Sequence, residues 1–295
     1  MALRQGMSPA RATFVGFGAV LLWALLALFT AASGAVPPLQ LAGLSFAIGG
    51  MSGAIVMLST GRSFGALRQP PHVWAIGVGG LFGYHFVYFS ALRAAPAVEA
   101  SLIAYLWPLL IVVLSALAPG ERLLPRHVIG AACGFCGAAL LVTRGEALAF
   151  DPTYTSGYAL ALLAAFIWSS YSVLSRTISH VPTEAVTGFC LVTAVLATGA
   201  HLMIETTVWP TNAVQWAAII GLGLGPVGFA FFLWDVGVKR GDIQVLGAAS
   251  YAAPLLSTIV LVVAGQAAAT WSLAGACMLI TLGAGIAAGV VRRRA

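Results

Sequence analysis

Residues 99–118 read EASLIAYLWPLLIVVLSALA, and residues 243–264 read IQVLGAASYAAPLLSTIVLVVA. Each stretch is about as long as the roughly 20 apolar residues that carry a helix across a bilayer. Neither shows the alternation over roughly ten residues that marks a strand of a membrane barrel. Each holds a proline in its middle, Pro108 or Pro254, three residues after a tyrosine, Tyr105 or Tyr251. Two such segments in one chain predict a helical membrane protein made of two related halves.

The rest of the chain agrees. Of 295 residues, 60% are hydrophobic and 7% charged, where a soluble domain has roughly 25% charged. Such a surface cannot be kept in water, which excludes a soluble enzyme and a disordered chain. The net charge of +6 comes from short gaps between apolar runs, so no nucleic-acid partner is expected. Ten runs are read, at about 12–32, 38–59, 73–92, 99–118, 126–143, 156–176, 184–204, 213–235, 243–264 and 270–291. The first is longer than the roughly 7–15-residue core of a signal peptide, and is expected to stay. With the N-terminus inside, Arg4, Arg11, Arg62, Arg68, Arg122, Arg126, Arg176, Lys239, Arg240, Arg292, Arg293 and Arg294 all fall on the cytoplasmic side. Only Arg93 and Arg144 fall outside. The positive-inside rule therefore puts both termini in the cytoplasm, as an even number of spans requires.

Sliding the second half back by about 145 residues sets Trp23 on Trp168, Gly83 on Gly228, Arg93 on Lys239, Tyr105 on Tyr251, Pro108 on Pro254 and Gly120 on Gly265. Each half, 1–149 and 150–295, has five spans. An odd number forces the second half to enter the membrane in the opposite sense. Inverted repeats are a hallmark of secondary transporters with a site near the midplane.

These features resemble the drug/metabolite transporter superfamily, in its ten-helix, EamA-type branch. The resemblance rests on Pro108 followed by Gly120-Glu121, on Pro254 followed by Gly265-Gln266, and on the small-residue fifth and tenth runs. It covers about residues 12–291, with Gln266 where the family usually has Glu. Within the branch the chain is similar to bacterial exporters of aromatic amino acids, through Tyr84-His85, Tyr88, Tyr105-Leu106-Trp107-Pro108, Trp168 and Ser250-Tyr251. The likeness implies a basket around a central cavity lined by helices 1, 3, 4, 6, 8 and 9, in a bacterial cytoplasmic membrane.

The residues have their own argument. Ionisable groups inside a membrane are costly and are functional hypotheses by default. His85 lies mid-span in the third run, and Tyr84, His85 and Tyr88 share an arc of about 100°. They either line a cavity or form an internal hydrogen-bonded cluster. Asp235 sits near the end of the eighth run. Tyr105 and Trp107 stand about 200° apart on an ideal helix, so they share a cavity only if the helix distorts. Pro108 supplies a cause, since it frees the carbonyl of Ala104, and Pro254 does the same to Ser250. The alternative is a plain packing kink. Trp168, Tyr171, Ser172 and Ser175 form one face of the sixth run, opposite the less polar face of Trp23, Leu26, Ala27 and Thr30 in the first.

Tyr84, His85, Tyr88, Tyr105, Trp107, Trp168, Ser250 and Tyr251 are thus the expected substrate-binding residues, with Pro108 and Pro254 breaking their helices. An aromatic, nearly uncharged cavity suits a flat zwitterion or cation. A phosphate cargo would call for a mid-span Lys or Arg, and obligatory proton coupling for a mid-span carboxylate. The expected function is facilitated export of aromatic and related hydrophobic amino acids by alternating access. A broad exporter of organic cations is the alternative. No catalytic residue, metal or cofactor is expected. Cys133-x-x-Cys136 lacks further ligands for zinc, and Gly221-Leu222-Gly223-Leu224-Gly225 has no preceding strand to make a phosphate loop. Gly130/Gly134 and Gly285/Gly289 have the spacing of close helix contacts. The partners expected are an amino acid and membrane lipid; a monomer is compatible with all of this.

Overall fold

The computed structural model describes residues 7–118, 121–147, 150–265 and 267–289. Arg4, Gly120, Gln266, Arg292, Arg293 and Arg294 lie outside the described residues. Among those described there are helices and no strand. Nine helices are long and apolar enough to cross a bilayer: α1 (Pro9–Ala32), α2 (Pro38–Ser59), α3 (Pro71–Ala94), α4 (Ala97–Leu117), α5 (Pro125–Thr143), α6 (Pro152–Thr177), α7 (Ala185–Ile204), α8 (Ala213–Arg240) and α9 (Ile243–Val263). The tenth, α10 (Trp271–Ala287), has 17 residues, at the lower limit for a span.

Local chemistry sets the ends. Prolines open α1, α2, α3, α5 and α6, where the missing N–H has no intrahelical partner to lose. Asn212, Asp242 and Thr270 cap α8, α9 and α10 by accepting backbone N–H groups. The eighth helix runs past the expected stop at 235 to Arg240. Asp235 and Lys239 lie one turn apart and pair at 2.8 Å, so these charges do not end the helix. Large side chains such as Phe14, Val195 and Leu202 are more than 70% exposed on the outer surface, as a lipid environment allows.

The repeat is visible in backbone detail. The α-helical parts of α1 and α6 begin at Pro9 and Thr155, those of α4 and α9 at Ala97 and Ile243, those of α5 and α10 at Pro125 and Trp271. In every case the separation is 146 residues. Wide π-type turns interrupt α3 at Gly79–Gly83 and α8 at Gly225–Phe229, with the same separation. Breaks occur in α4 at Tyr105-Leu106 and in α9 at Ser250-Tyr251. Helix α1 is broken at Ala24-Leu25, whereas its counterpart α6 is continuous from Thr155 to Thr177.

Packing follows the same symmetry. Helix α1 lies on α8, α3 on α6, α2 on α7, α4 on α9 and α5 on α10. Exchanging the halves turns α1–α8 into α6–α3 and leaves the other three pairings unchanged. Small residues permit the closest approaches. A Cβ on Gly16 would meet the Cα of Gly237 at 2.7 Å, and one on Gly130 the carbonyl of Gly283 at 2.5 Å. Gly130 therefore serves α5–α10 packing inside the bundle, while Gly134 faces Tyr251.

Candidate functional site

A cavity of about 490 Å³ sits between the halves, within the roughly 300–1,000 Å³ of small-molecule sites. It reaches the end of the bundle where the chain passes through Ser33, Gly34 and Val36. No Asp, Glu, Lys or Arg is among its lining residues.

Its floor is built of indoles. Trp23, Trp107, Trp168 and Trp234 lie with ring centroids 5.0–6.2 Å apart in all six pairings. The Trp23 N–H donates to the carbonyl of Pro226 at 3.1 Å, and that of Trp234 to the Ser172 hydroxyl at 3.1 Å. Two of the four indole donors are thus satisfied within the protein. Trp234 is fully buried below the cavity. It was not anticipated, since nothing in its spacing separates it from Phe229, Phe231 and Phe232 in the same run.

Tyr84, His85 and Tyr88 all face the cavity from α3. The wide turn at Gly79–Gly83 precedes them and sets their rotation. Tyr84 and Tyr88 stack at 5.7 Å, and Tyr84 lies 5.3 Å from Trp168. The Tyr88 hydroxyl meets Ser101 at 3.1 Å. His85 Nδ1 lies 2.7 Å from the carbonyl of Leu81. A carbonyl only accepts, so Nδ1 carries the proton, and in the neutral form of the ring Nε2 is the acceptor. The two sequence alternatives therefore combine: the cluster is internally bonded and also walls the cavity.

Tyr105 and Trp107 both reach the cavity, because the break at Tyr105-Leu106 resets the helix phase between them. Pro254 lines the cavity as well, and Pro108 is buried behind Trp107. Ser250 and Tyr251 do not line it, contrary to the sequence reading. Both are fully buried, because the first half of α9 is packed against α4, α5 and α10. Ser250 donates to the carbonyl of Leu246 at 2.7 Å. The Tyr251 hydroxyl accepts the Leu109 N–H at 3.2 Å.

Helix α2 was not expected at the cavity, yet Ser45 and Phe46 line it. Phe46 stacks on Phe231 of α8 at 5.5 Å and meets His85 edge-on at 5.1 Å. The Ser45 hydroxyl is buried without a protein partner. A serine in an all-apolar run gives no periodic signal, so only tertiary placement reveals it.

Both ends of the bundle are tied by charges. At the cavity's mouth, Glu205 pairs with Arg93 and accepts from the Leu39 and Gln40 N–H groups at 3.1–3.2 Å, and lies 2.9 Å from His201 Nδ1. It thereby caps α2 and joins it to α3 and α7. At the far end Arg176 pairs with Glu121, and its guanidinium also donates to the carbonyls of Val238 and Gly241 at 3.0 and 2.8 Å. Glu121 accepts from Gln244 at 2.9 Å. The far end is closed where the mouth is open.

Residues 10–143 and 155–288 each match the EamA-like transporter family. The chain belongs to that family. Two matches, one per half, also report the duplication that the helix starts display. The aromatic amino acid exporter YddG of Ancylobacter novellus is 54% identical over 288 residues, 97% of this chain and 100% of that protein. The aromatic amino acid exporter YddG of Escherichia coli is 26% identical over 85% of this chain and 88% of its own length. A solved crystal structure, 53% identical, superposes with a TM-score of 0.92 over 97% of this chain and all of that one. The EamA-type fold expected from the sequence, ten helices in two repeats, is the one observed.

Proposed function

We propose that this EamA-family protein exports aromatic and related hydrophobic amino acids across a bacterial cytoplasmic membrane by alternating access. Residues 1–149 and 150–295 act as the two moving halves, and both termini lie in the cytoplasm. The observation that carries this reading is a central cavity walled by Tyr84, Tyr105, Trp107 and Trp168 and lined by no formally charged residue. Aromatic faces stack on a ring and attract an ammonium, at about 0.5–2 kcal/mol per contact. His85 Nε2 offers the ammonium an acceptor, and the unpartnered Ser45 hydroxyl offers the carboxylate a donor. A bare anion would find no cation here, which argues against phosphorylated cargo.

The named activity of the 54% identical relative points the same way. The described basic residues support this orientation. Arg11, Arg62, Arg68, Arg122, Arg126, Arg176, Lys239 and Arg240 occupy the far end or its connections, against Arg93 and Arg144 at the mouth end. The cavity then faces outward, in the state from which cargo leaves. No carboxylate lines the cavity in this outward state, which supports facilitated rather than obligatorily proton-coupled transport.

The test is uptake of labelled phenylalanine and tryptophan into proteoliposomes, with and without a proton gradient. Saturable flux above empty vesicles without a gradient is expected. No amino-acid flux under either condition overturns the reading, and flux of organic cations alone replaces it with the drug-exporter alternative.

A further inference from the structure

The two halves share one design but occupy different states. Tyr88, Leu92 and Tyr105 line the open cavity. Their counterparts 146 residues on, Trp234, Val238 and Tyr251, are each 0% exposed. The breaks differ likewise. Tyr251, in α9, uses its hydroxyl to hold the Leu109 N–H of α4 at 3.2 Å. The corresponding bond, from the Leu255 N–H of α9 to the Tyr105 hydroxyl, is not made; Tyr105 stands on the cavity wall.

A molecule of two inverted, equivalent halves has a second conformation open to it, in which each half takes the form the other has now. We infer that Trp234, Val238 and Tyr251, with Asp235 and Lys239, line a second vestibule that is closed here and opens to the cytoplasm, where it receives the amino-acid zwitterion. Tyr105 and Tyr251 are alternate latches. When Tyr251 releases α4 and turns to the inner vestibule, Tyr105 leaves the outer one and bonds α9.

The far-end contacts are what keep this vestibule shut. Arg176 binds Glu121 and the Val238 carbonyl together, and Lys239 donates to the carbonyl of Val181 at 3.0 Å. The chemistry of the inner chamber also differs from the outer. Where the outer half has Phe89 on the cavity wall and Arg93 one turn on, paired with Glu205 at the mouth, the inner has Asp235 on the wall and Lys239 one turn on at the rim, paired at 2.8 Å, with the Thr183 hydroxyl on Asp235 at 2.7 Å. On opening, the carboxylate meets the ammonium of an entering amino acid and the ammonium its carboxylate. This ligand assignment rests on the amino-acid export proposed above; the vestibule itself does not.

Impermeant thiol labelling in a background lacking Cys133, Cys136, Cys190 and Cys277 tests the vestibule, read at each site by mass spectrometry. Tyr251→Cys and Val238→Cys are expected to react in everted membrane vesicles, which expose the cytoplasmic face. Leu92→Cys is expected to react in spheroplasts. A disulfide bridge formed by mild oxidation between the thiols of Glu121→Cys and Arg176→Cys, a reaction that leaves a lone reporter thiol free, should abolish reaction at 238 and 251 and preserve it at 92. Absence of reaction at both 238 and 251 in unbridged everted vesicles, or reaction there that the bridge does not change, overturns the inference. Bridge-sensitive labelling in a protein that moves no amino acid would instead sink the proposed cargo and leave the vestibule standing. For the ligand, Asp235→Asn with Lys239→Gln should raise the half-saturating concentration of phenylalanine roughly threefold or more on the cytoplasmic side alone. An equal change on both sides, or none, removes the zwitterion from this site.

Discussion

The Trp23 indole N–H donates to the carbonyl of Pro226 at 3.1 Å, joining the break in α1 to the wide turn in α8. The contact crosses between the halves, 203 residues apart in sequence, on the wall of the cavity. Trp23→Phe keeps an aromatic ring and removes the donor. Losing a part-buried hydrogen bond of this kind costs about 0.5–1.5 kcal/mol. The variant should therefore unfold at a lower temperature than wild type in the same detergent. An unchanged unfolding temperature would show that the wide turn satisfies its own carbonyl.

Trp107 and Trp168 are 7% and 3% exposed and face each other across 6.2 Å at the cavity floor. If they form the stacking surface for the cargo ring, Trp107→Ala and Trp168→Ala should each reduce phenylalanine flux about tenfold, the loss of roughly 1.4 kcal/mol of binding. Flux is to be normalised to folded protein by size-exclusion chromatography. A fall in folded protein with unchanged specific flux would make them packing residues.

His85 has two nitrogens with separable tasks. Nδ1 bonds the Leu81 carbonyl within its own helix, and the ring sits edge-on to Phe46 at 5.1 Å. His85→Asn retains a short amide donor for the carbonyl but removes the outer acceptor. It should raise the KM for phenylalanine severalfold with near wild-type yield, whereas His85→Leu should lower yield as well. Identical behaviour of the two variants in flux and yield would show that Nε2 does not contact cargo.

How far the sequence reaches is clear from particular residues. The ten spans and the duplication are carried by composition and by spaced prolines, which act locally and survive translation into structure. Tyr84, His85 and Tyr88 were legible because three polar rings on one arc of a membrane helix need company. Tyr105 and Trp107 were legible only as a puzzle, since the break at Tyr105-Leu106 decides their facing. Ser250 and Tyr251 were misplaced for a related reason. A repeat in sequence implies equal roles over a full transport cycle, and a single conformation shows the halves in unequal ones. Ser45 and Phe46 left no trace, because in a helix apolar on every side periodicity does not separate the cavity face from the lipid face, and Trp234 is one of four aromatic residues between 229 and 234 that spacing alone does not rank.

Glu205 gathers Arg93, His201 and two N–H groups of α2 at the mouth of the cavity. Its side chain is 2% exposed, so these partners stand in for the water it has lost. Glu205→Gln keeps the size but weakens each contact, and leaves Arg93 without its counter-ion. Lower thermal stability is expected, by about 1–3 kcal/mol, since Arg93 is 45% exposed and water screens its half of the pair. Adding Arg93→Gln should recover part of it. A double-mutant cycle on unfolding temperatures measures the coupling, and additive effects would show that the two residues act independently.

Ser45 separates binding from folding. The residue is 1% exposed and its hydroxyl has no protein partner, in a cavity whose wall also holds Phe46, His85 and Phe231. A buried hydroxyl without a partner destabilises the empty protein relative to a methyl group. Ser45→Ala should therefore leave the unfolding temperature equal to or above wild type. If the hydroxyl is kept to meet the polar end of the cargo, the same change should weaken phenylalanine binding by about 0.5–1.5 kcal/mol, seen as a raised KM with little change in yield. Opposite signs for stability and affinity are the expected signature, because the group that costs the empty state is the group the ligand satisfies. Ser45→Thr is the companion, since it restores the hydroxyl with one added methyl in an already walled site. Affinity unchanged in Ser45→Ala would assign the polar end of the cargo to other donors, the hydroxyls of Tyr84 and Tyr105 first among them.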